Sequence, residues 1–172
     1  MHKEALAVAA ALQNRGIKPG NNIALLGLTS RDLVTAMQGV WLAGACVNML
    51  PIPMRMNSIA EFVMQTRAHL SYSDARMLLL DPGLAALYEA EVGDPPTVLF
   101  AEIMPDAGKP AAADYREIAD DSENLAVLQF TSGSTSVPKG VMLPQSVLSA
   151  KIDAMDEVVT MNTLQTNSSG YD

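Results

Sequence analysis

The sequence predicts an α/β fold, a mainly parallel sheet with flanking helices. Three observations lead there. Short apolar runs rich in Val, Leu and Ile alternate with stretches whose apolar residues recur at helical spacing, the rhythm of βαβ units. Runs such as Ile23-Ala-Leu-Leu26 and Met77-Leu-Leu-Leu80 are continuous rather than alternating, as in strands buried on both faces. Glycine and proline punctuate the junctions, at Gly16, Pro19-Gly20, Gly44, Pro51 and Pro82-Gly83.

Taken in order, residues 3–15 read as an amphipathic helix with Ala5, Val8, Ala9 and Leu12 on one side, stopped by Gly16. Lys18-Pro-Gly-Asn21 is a turn into a buried strand, Ile23 to Gly27. Thr29 or Ser30 caps a second helix carrying Leu33, Met37, Val40 and Trp41, which Gly44 ends. Cys46 to Leu50 is the next strand, halted by Pro51 and Pro53. Ser58-Ile-Ala-Glu61 has capping-box spacing and opens a helix with Ile59, Phe62, Val63, Thr66 and Leu70 on one side. Ser73-Asp74 breaks it before the strand Met77 to Leu80. Asp81-Pro-Gly83 turns into a predicted helix over about Leu84 to Val92, and Thr97 to Phe100 is a further strand. Glu102 to Asn124 is polar, with a short helix expected around Tyr115 and a solvated acidic cluster of Asp114, Glu117, Asp120, Asp121 and Glu123. Leu125 to Phe130 is the last strand of the series, and a helix is expected from about Gln145 to Val159.

A chain of 172 residues suffices for one domain with a real core, and 49% hydrophobic with 17% charged residues is a globular composition. A net charge of −8 argues against nucleic acid, whose phosphate backbone calls for a basic footprint. No stretch approaches the roughly 20 apolar residues of a membrane span, and no signal-type segment opens the chain. A cytoplasmic protein without a membrane span is the expectation. The single cysteine, Cys46, reads as a small buried hydrophobe rather than a reactive thiol. His2 and His69 lie far apart, so neither metal ligation nor general-base work is expected of them, and His69 suits the C-terminal end of its helix. The eleven methionines read as core filler.

The informative stretch is Leu125 to Gly140, Leu-Ala-Val-Leu-Gln-Phe-Thr-Ser-Gly-Ser-Thr-Ser-Val-Pro-Lys-Gly. Thr131, Ser132, Ser134, Thr135 and Ser136 crowd around Gly133, and Pro138, Lys139 and Gly140 follow before a fresh apolar run, Val141 to Leu143. Gly133 and Gly140 allow positive φ and close backbone approach. Successive amides can form an anion-binding concavity, hydroxyls donate, and a lysine adds a compact charge. It is not a Walker A loop, because Lys139 is followed by Gly140 and not by Ser or Thr. Composition alone leaves two readings standing, a flexible Ser/Gly linker and a phosphate cradle. The apolar flanks and the Pro-Lys-Gly ending argue against the linker.

Thr131-Ser-Gly-Ser-Thr-Ser-Val-Pro-Lys-Gly140 resembles the signature loop of the adenylate-forming superfamily, which includes acyl-CoA synthetases, fatty acyl-AMP ligases and peptide-synthetase adenylation domains. The resemblance implies that Thr131, Ser132, Gly133, Ser134, Thr135, Ser136, Lys139 and Gly140 bind the β- and γ-phosphates of ATP while a carboxylate attacks the α-phosphate, Pro138 fixing the loop's exit. Ser136 stands where the family usually has glycine, and Gln145 where it often has histidine. Leu6 to Gly20 is similar to the family's opening helix and turn, and Met37 to Ala45 to its next helix with the Ala-Gly-Ala exit. Pro51-Ile-Pro-Met-Arg-Met56 and the helix with Phe62 resemble fatty-acid-activating members most.

What the resemblance implies is ATP-dependent activation of a fatty acid as acyl-adenylate, with Mg²⁺ in the full-length family and coenzyme A or an acyl carrier protein as further partners. The fold would be part of the family's large N-terminal region. The family's adenine-supporting motif, its ribose-binding Asp and its late catalytic Lys have no counterpart here, so no catalytic residue and no metal ligand is assigned. Residues 1–160 are expected to form a partial N-terminal AMP-binding domain. Met161 to Asp172, polar and without apolar periodicity, is expected to be a disordered tail, the product of a frameshift or early stop or else a surface loop cut short. The alternatives are a non-catalytic remnant and a small nucleotide-binding α/β module.

Overall fold

The computed structural model describes residues 1–52, 58–105, 115–119, 121–131 and 139–155, with Thr131 and Lys139 described by their backbone alone. Helix α1 (His2–Asn14), strand β1 (Asn22–Leu26), helix α2 (Arg31–Leu42), strand β2 (Cys46–Met49), helix α3 (Ile59–Tyr72) and strand β3 (Ala75–Leu80) come first. A 3₁₀ helix (Pro82–Leu87), strand β4 (Thr97–Leu99), the four-residue helix α4 (Phe100–Ile103) and strands β5 (Leu125–Thr131) and β6 (Lys139–Pro144) follow. Helix α5 covers 145–155.

The strands form one six-stranded sheet in the order β4-β3-β1-β2-β5-β6. Every pairing is parallel except β5 with β6, which is antiparallel. β1 lies near the middle, and its period-2 alternation sends side chains to two cores. Ile23 and Leu25 join Val8, Leu12, Val40, Val47 and Leu79 on the face covered by α1, α2 and α4. Ala24 and Leu26 join Leu50, Phe62, Leu70, Leu78 and Leu80 on the face covered by α3. A strand buried on both faces must be apolar throughout, which is why the run is continuous.

Local chemistry sets the boundaries. Ser30 Oγ accepts from the Leu33 amide at 3.1 Å, and Ser58 Oγ from the Glu61 amide at 3.1 Å, so both predicted caps form. Gly44 takes φ +73° just after α2, a left-handed turn that costs glycine least. α1 and α2 cross at Gly39, where a Cβ would stand 2.4 Å from Val8 Cγ1.

Four expectations need correction. The helix predicted over Leu84 to Val92 is the shorter 3₁₀ helix Pro82–Leu87. Tyr88 turns extended there, its ring buried and its hydroxyl donating to Asp94 Oδ2 at 2.9 Å, so core anchoring ends the helix. Phe100 begins α4 instead of ending a strand, and its ring packs so closely on Gly27 that a Cβ there would stand 2.7 Å from Phe100 Cε2. Residues 115–119 are not helical. The Gln13 amide pairs with the Arg116 backbone, donating at 2.8 Å and accepting at 3.0 Å, and so supplies the partners a helix would have given. Ile59, expected on the apolar side of α3, is exposed, while Phe62, Thr66 and Leu70 are buried. Pro53, Asp114, Asp120 and residues 156–172, the expected tail among them, lie outside the described residues. Among the described residues no helix is long and apolar enough to cross a membrane.

Candidate functional site

β5 is built to carry a loop out of the sheet. It runs parallel to β2, with Val47 opposite Val127 and Asn48 opposite Leu128. Its carboxyl end therefore emerges beside that of β2, on the edge where open α/β sheets bind ligands. Helix α2 holds it from the other side, for Trp41 Nε1 donates to the Ala126 carbonyl at 2.8 Å.

The apolar run Val141 to Leu143 is part of β6, which returns antiparallel along β5. Phe130 faces Gly140, and Thr131 faces Lys139 in the last rung. The two ends of the hydroxyl-rich stretch thus meet at one point. Ser132, Gly133, Ser134, Thr135 and Ser136, with Pro138, lie outside the described residues. Of the predicted phosphate-binding residues, Thr131, Lys139 and Gly140 are brought together by backbone pairing.

Gly140 does not use the conformational freedom expected of it, since it is not among the positive-φ residues and sits in an extended strand. Its smallness serves packing instead. A Cβ there would lie 3.3 Å from Leu128 Cδ1 and 3.5 Å from Phe130 Cε1. The ring of Phe130 also meets His69 of α3, centroid to centroid at 5.2 Å with planes inclined at 67°. His69 Nδ1 lies 2.8 Å from the Gln65 carbonyl oxygen. A carbonyl can only accept, so Nδ1 carries the proton.

Cys46 is buried, and burial pushes its thiol up to about 11, which leaves it protonated and inert. Among the described residues no group of three or more His, Cys, Asp or Glu could hold a metal ion. The Gln145 amide donates to the Asn124 carbonyl at 2.8 Å, fixing the start of α5. Beside it opens a cleft of about 830 Å³ whose walls include Trp41, Tyr115, Gln145 and Ser149.

Sequence reasoning missed Asn48. It is fully buried in β2, and neither side-chain polar atom has a hydrogen-bond partner among the described residues. The signal was a lone amide inside the run Cys-Val-Asn-Met-Leu.

Comparison with known proteins adds three relatives. The family model of the AMP-binding enzyme matches residues 1–168. A Caulobacter vibrioides protein provisionally named an acyl-CoA synthetase is 29% identical over 169 residues, covering 98% of this chain and 28% of its own length. Malformin synthetase mlfA of Aspergillus niger is 31% identical over 152 residues, 88% of this chain and 3% of its own. The crystal structure of a fatty acid AMP ligase from Legionella pneumophila superposes with a TM-score of 0.73 at 25% identity, over 88% of this chain and 25% of that one. The chain thus spans less than a third of the length of these two curated relatives.

Proposed function

The chain belongs to the AMP-binding enzyme family, and from that premise we propose that its hydroxyl-rich stretch between β5 and β6 grips the β- and γ-phosphates of ATP while a fatty acid is activated as acyl-adenylate. In that reaction a carboxylate oxygen attacks the α-phosphorus. The bond from that phosphorus to the α–β bridging oxygen breaks, and pyrophosphate leaves with the electron pair.

One observation carries the reading. Thr131 and Lys139 pair across the last rung of β5 and β6, so the two ends of the polar stretch meet at the carboxyl edge of a mainly parallel sheet. A stretch pinned at both ends can hold donors in fixed array, and fixed donors are what stabilise developing phosphate charge. In this reading Thr131, Ser132, Gly133, Ser134, Thr135 and Ser136 donate to phosphate oxygens, Lys139 compensates charge, and Gly140 keeps the neck narrow. Bound Mg²⁺ would supply further charge neutralisation.

The choice of a fatty acid rests on the likeness to a fatty acid AMP ligase. The Caulobacter relative points to coenzyme A as an acceptor of the acyl group, with a carrier protein as the other candidate. Acceptor and turnover are properties proposed for the whole protein, of which this chain spans a part.

Titration of ATP against the chain and its Lys139→Ala variant tests the grip. The variant is expected to bind about tenfold more weakly, the worth of one charge-assisted contact. Equal affinities remove Lys139 from the site. Pyrophosphate–ATP exchange with a panel of fatty acids tests the reaction. Exchange is expected only when the family's adenine, ribose and lysine groups are supplied. Nucleotide binding that never supports exchange under those conditions leaves the chain a non-catalytic binding module.

A further inference from the structure

We infer that His69 is a positioning residue for the neck where β5 and β6 pair, acting through Phe130; the inference rests on the phosphate reading of the adjoining stretch given above. β6 is the outermost strand of the sheet, so this neck lies at its edge. Phe130 immediately precedes Thr131 and faces Gly140. Its ring lies across the neighbouring strand, with Cε1 3.5 Å from where a Cβ at position 140 would stand. The ring also meets His69 at 5.2 Å and 67°, the edge-to-face arrangement aromatic pairs prefer.

His69 is itself held. Nδ1–H donates to the Gln65 carbonyl one turn back, which sets the ring's orientation. α3 is fastened to the sheet by buried Phe62, Thr66 and Leu70 on the same side. A line of contact therefore runs from the core through α3, His69 and Phe130 to the rung beside the one where Thr131 meets Lys139. Gripping groups work when their geometry is set before the ligand arrives. The imidazole acts on the neck by packing against Phe130.

Calorimetric titration of inorganic tripolyphosphate against the chain and its His69→Ala and His69→Phe variants tests this, with thermal unfolding as the check on folding. The wild type is expected to bind, His69→Ala to bind about fivefold more weakly, the worth of one aromatic pair, and His69→Phe to recover most of the loss. Rescue by a ring that cannot donate to Gln65 separates packing on Phe130 from general damage to α3. If His69→Ala unfolds, the comparison of wild type with His69→Phe and Phe130→Leu stands in, the first expected to bind normally and the second weakly. Equal affinities in all variants, or equal weakening in both His69 variants, overturn the role of His69 and leave the phosphate reading intact. No binding by the wild type overturns both.

Discussion

Thr131 and Lys139 face each other across the last antiparallel rung between β5 and β6, so β5 ends and β6 begins at one place on the sheet. That rung continues into Phe130 opposite Gly140, which requires extended backbone at the glycine. Gly140→Ala is therefore expected to change stability by less than about 1 kcal/mol. The unfolded-state gain of losing a glycine offsets a small shift of Leu128. Urea unfolding checks it. A loss of about 2 kcal/mol or more would mean that this position needs left-handed backbone after all.

Gly39 has the opposite character. In an exposed helix Ala is better than Gly by about 1 kcal/mol. At this crossing the new methyl would meet Val8 Cγ1 at 2.4 Å and Val8 Cβ at 2.6 Å, forcing α1 away from α2. Gly39→Ala is expected to destabilise by about 1–3 kcal/mol. Combining it with Val8→Ala is expected to cost less than the sum of the two single changes, the signature of a shared contact. Thermal unfolding of the four proteins measures the coupling.

Asn48 places an amide in the sheet with neither polar atom partnered among the described residues. Such a group forfeits about 1–3 kcal/mol of solvation. Asn48→Leu, similar in branching and flanked in register by Ala24 and Leu128, is expected to stabilise by about 1–2 kcal/mol with an unchanged urea slope. A comparable loss would show that the amide has a partner, such as a buried water.

The features legible in the sequence were those set by neighbours along the chain. Ser30 and Ser58 cap helices because each accepts from an amide three residues on, a purely local bond. Continuous apolar runs gave β1 and β3 because a strand buried on both faces must be apolar throughout. The misread features depend on residues far away. The 3₁₀ helix stops at Tyr88 because Asp94 and the core hold that side chain. Residues 115–119 stay out of a helix because Gln13, 103 positions before Arg116, binds its backbone. At the candidate site, composition pointed to the polar stretch, and resemblance gave it a ligand. That Val141 to Leu143 would return along β5, and that Gly140 would serve packing, depended on tertiary contacts with Phe130 and Leu128 that no short window contains.

Asp94 gives a prediction about pH. Its Oδ2 accepts from the Tyr88 hydroxyl at 2.9 Å, the Glu91 amide at 2.9 Å and Arg67 Nε at 3.1 Å, tying α3 to the segment after the 3₁₀ helix. Burial alone would raise this carboxyl, but the Glu91 amide, Tyr88 hydroxyl and Arg67 guanidinium outweigh it and hold it below the ordinary value. Burial first, and then Asp94, push the Tyr88 phenol well above its usual range, so it remains a donor throughout neutral pH. A carboxyl whose folded value is depressed contributes stability that is fully present above its unfolded value, about 3.9, and is lost as pH falls through the lower, folded value. The wild type is therefore expected to lose urea resistance on acidification across that window. Asp94→Asn should be less stable at neutral pH, because the pairing with Arg67 loses its charge. It should also show a shallower acid slope, so that the two proteins converge toward low pH. Urea midpoints measured from neutral down through the carboxylate range decide it. Parallel curves, offset equally at every pH, would mean that the charge of Asp94 adds nothing beyond the hydrogen bonds its oxygen accepts.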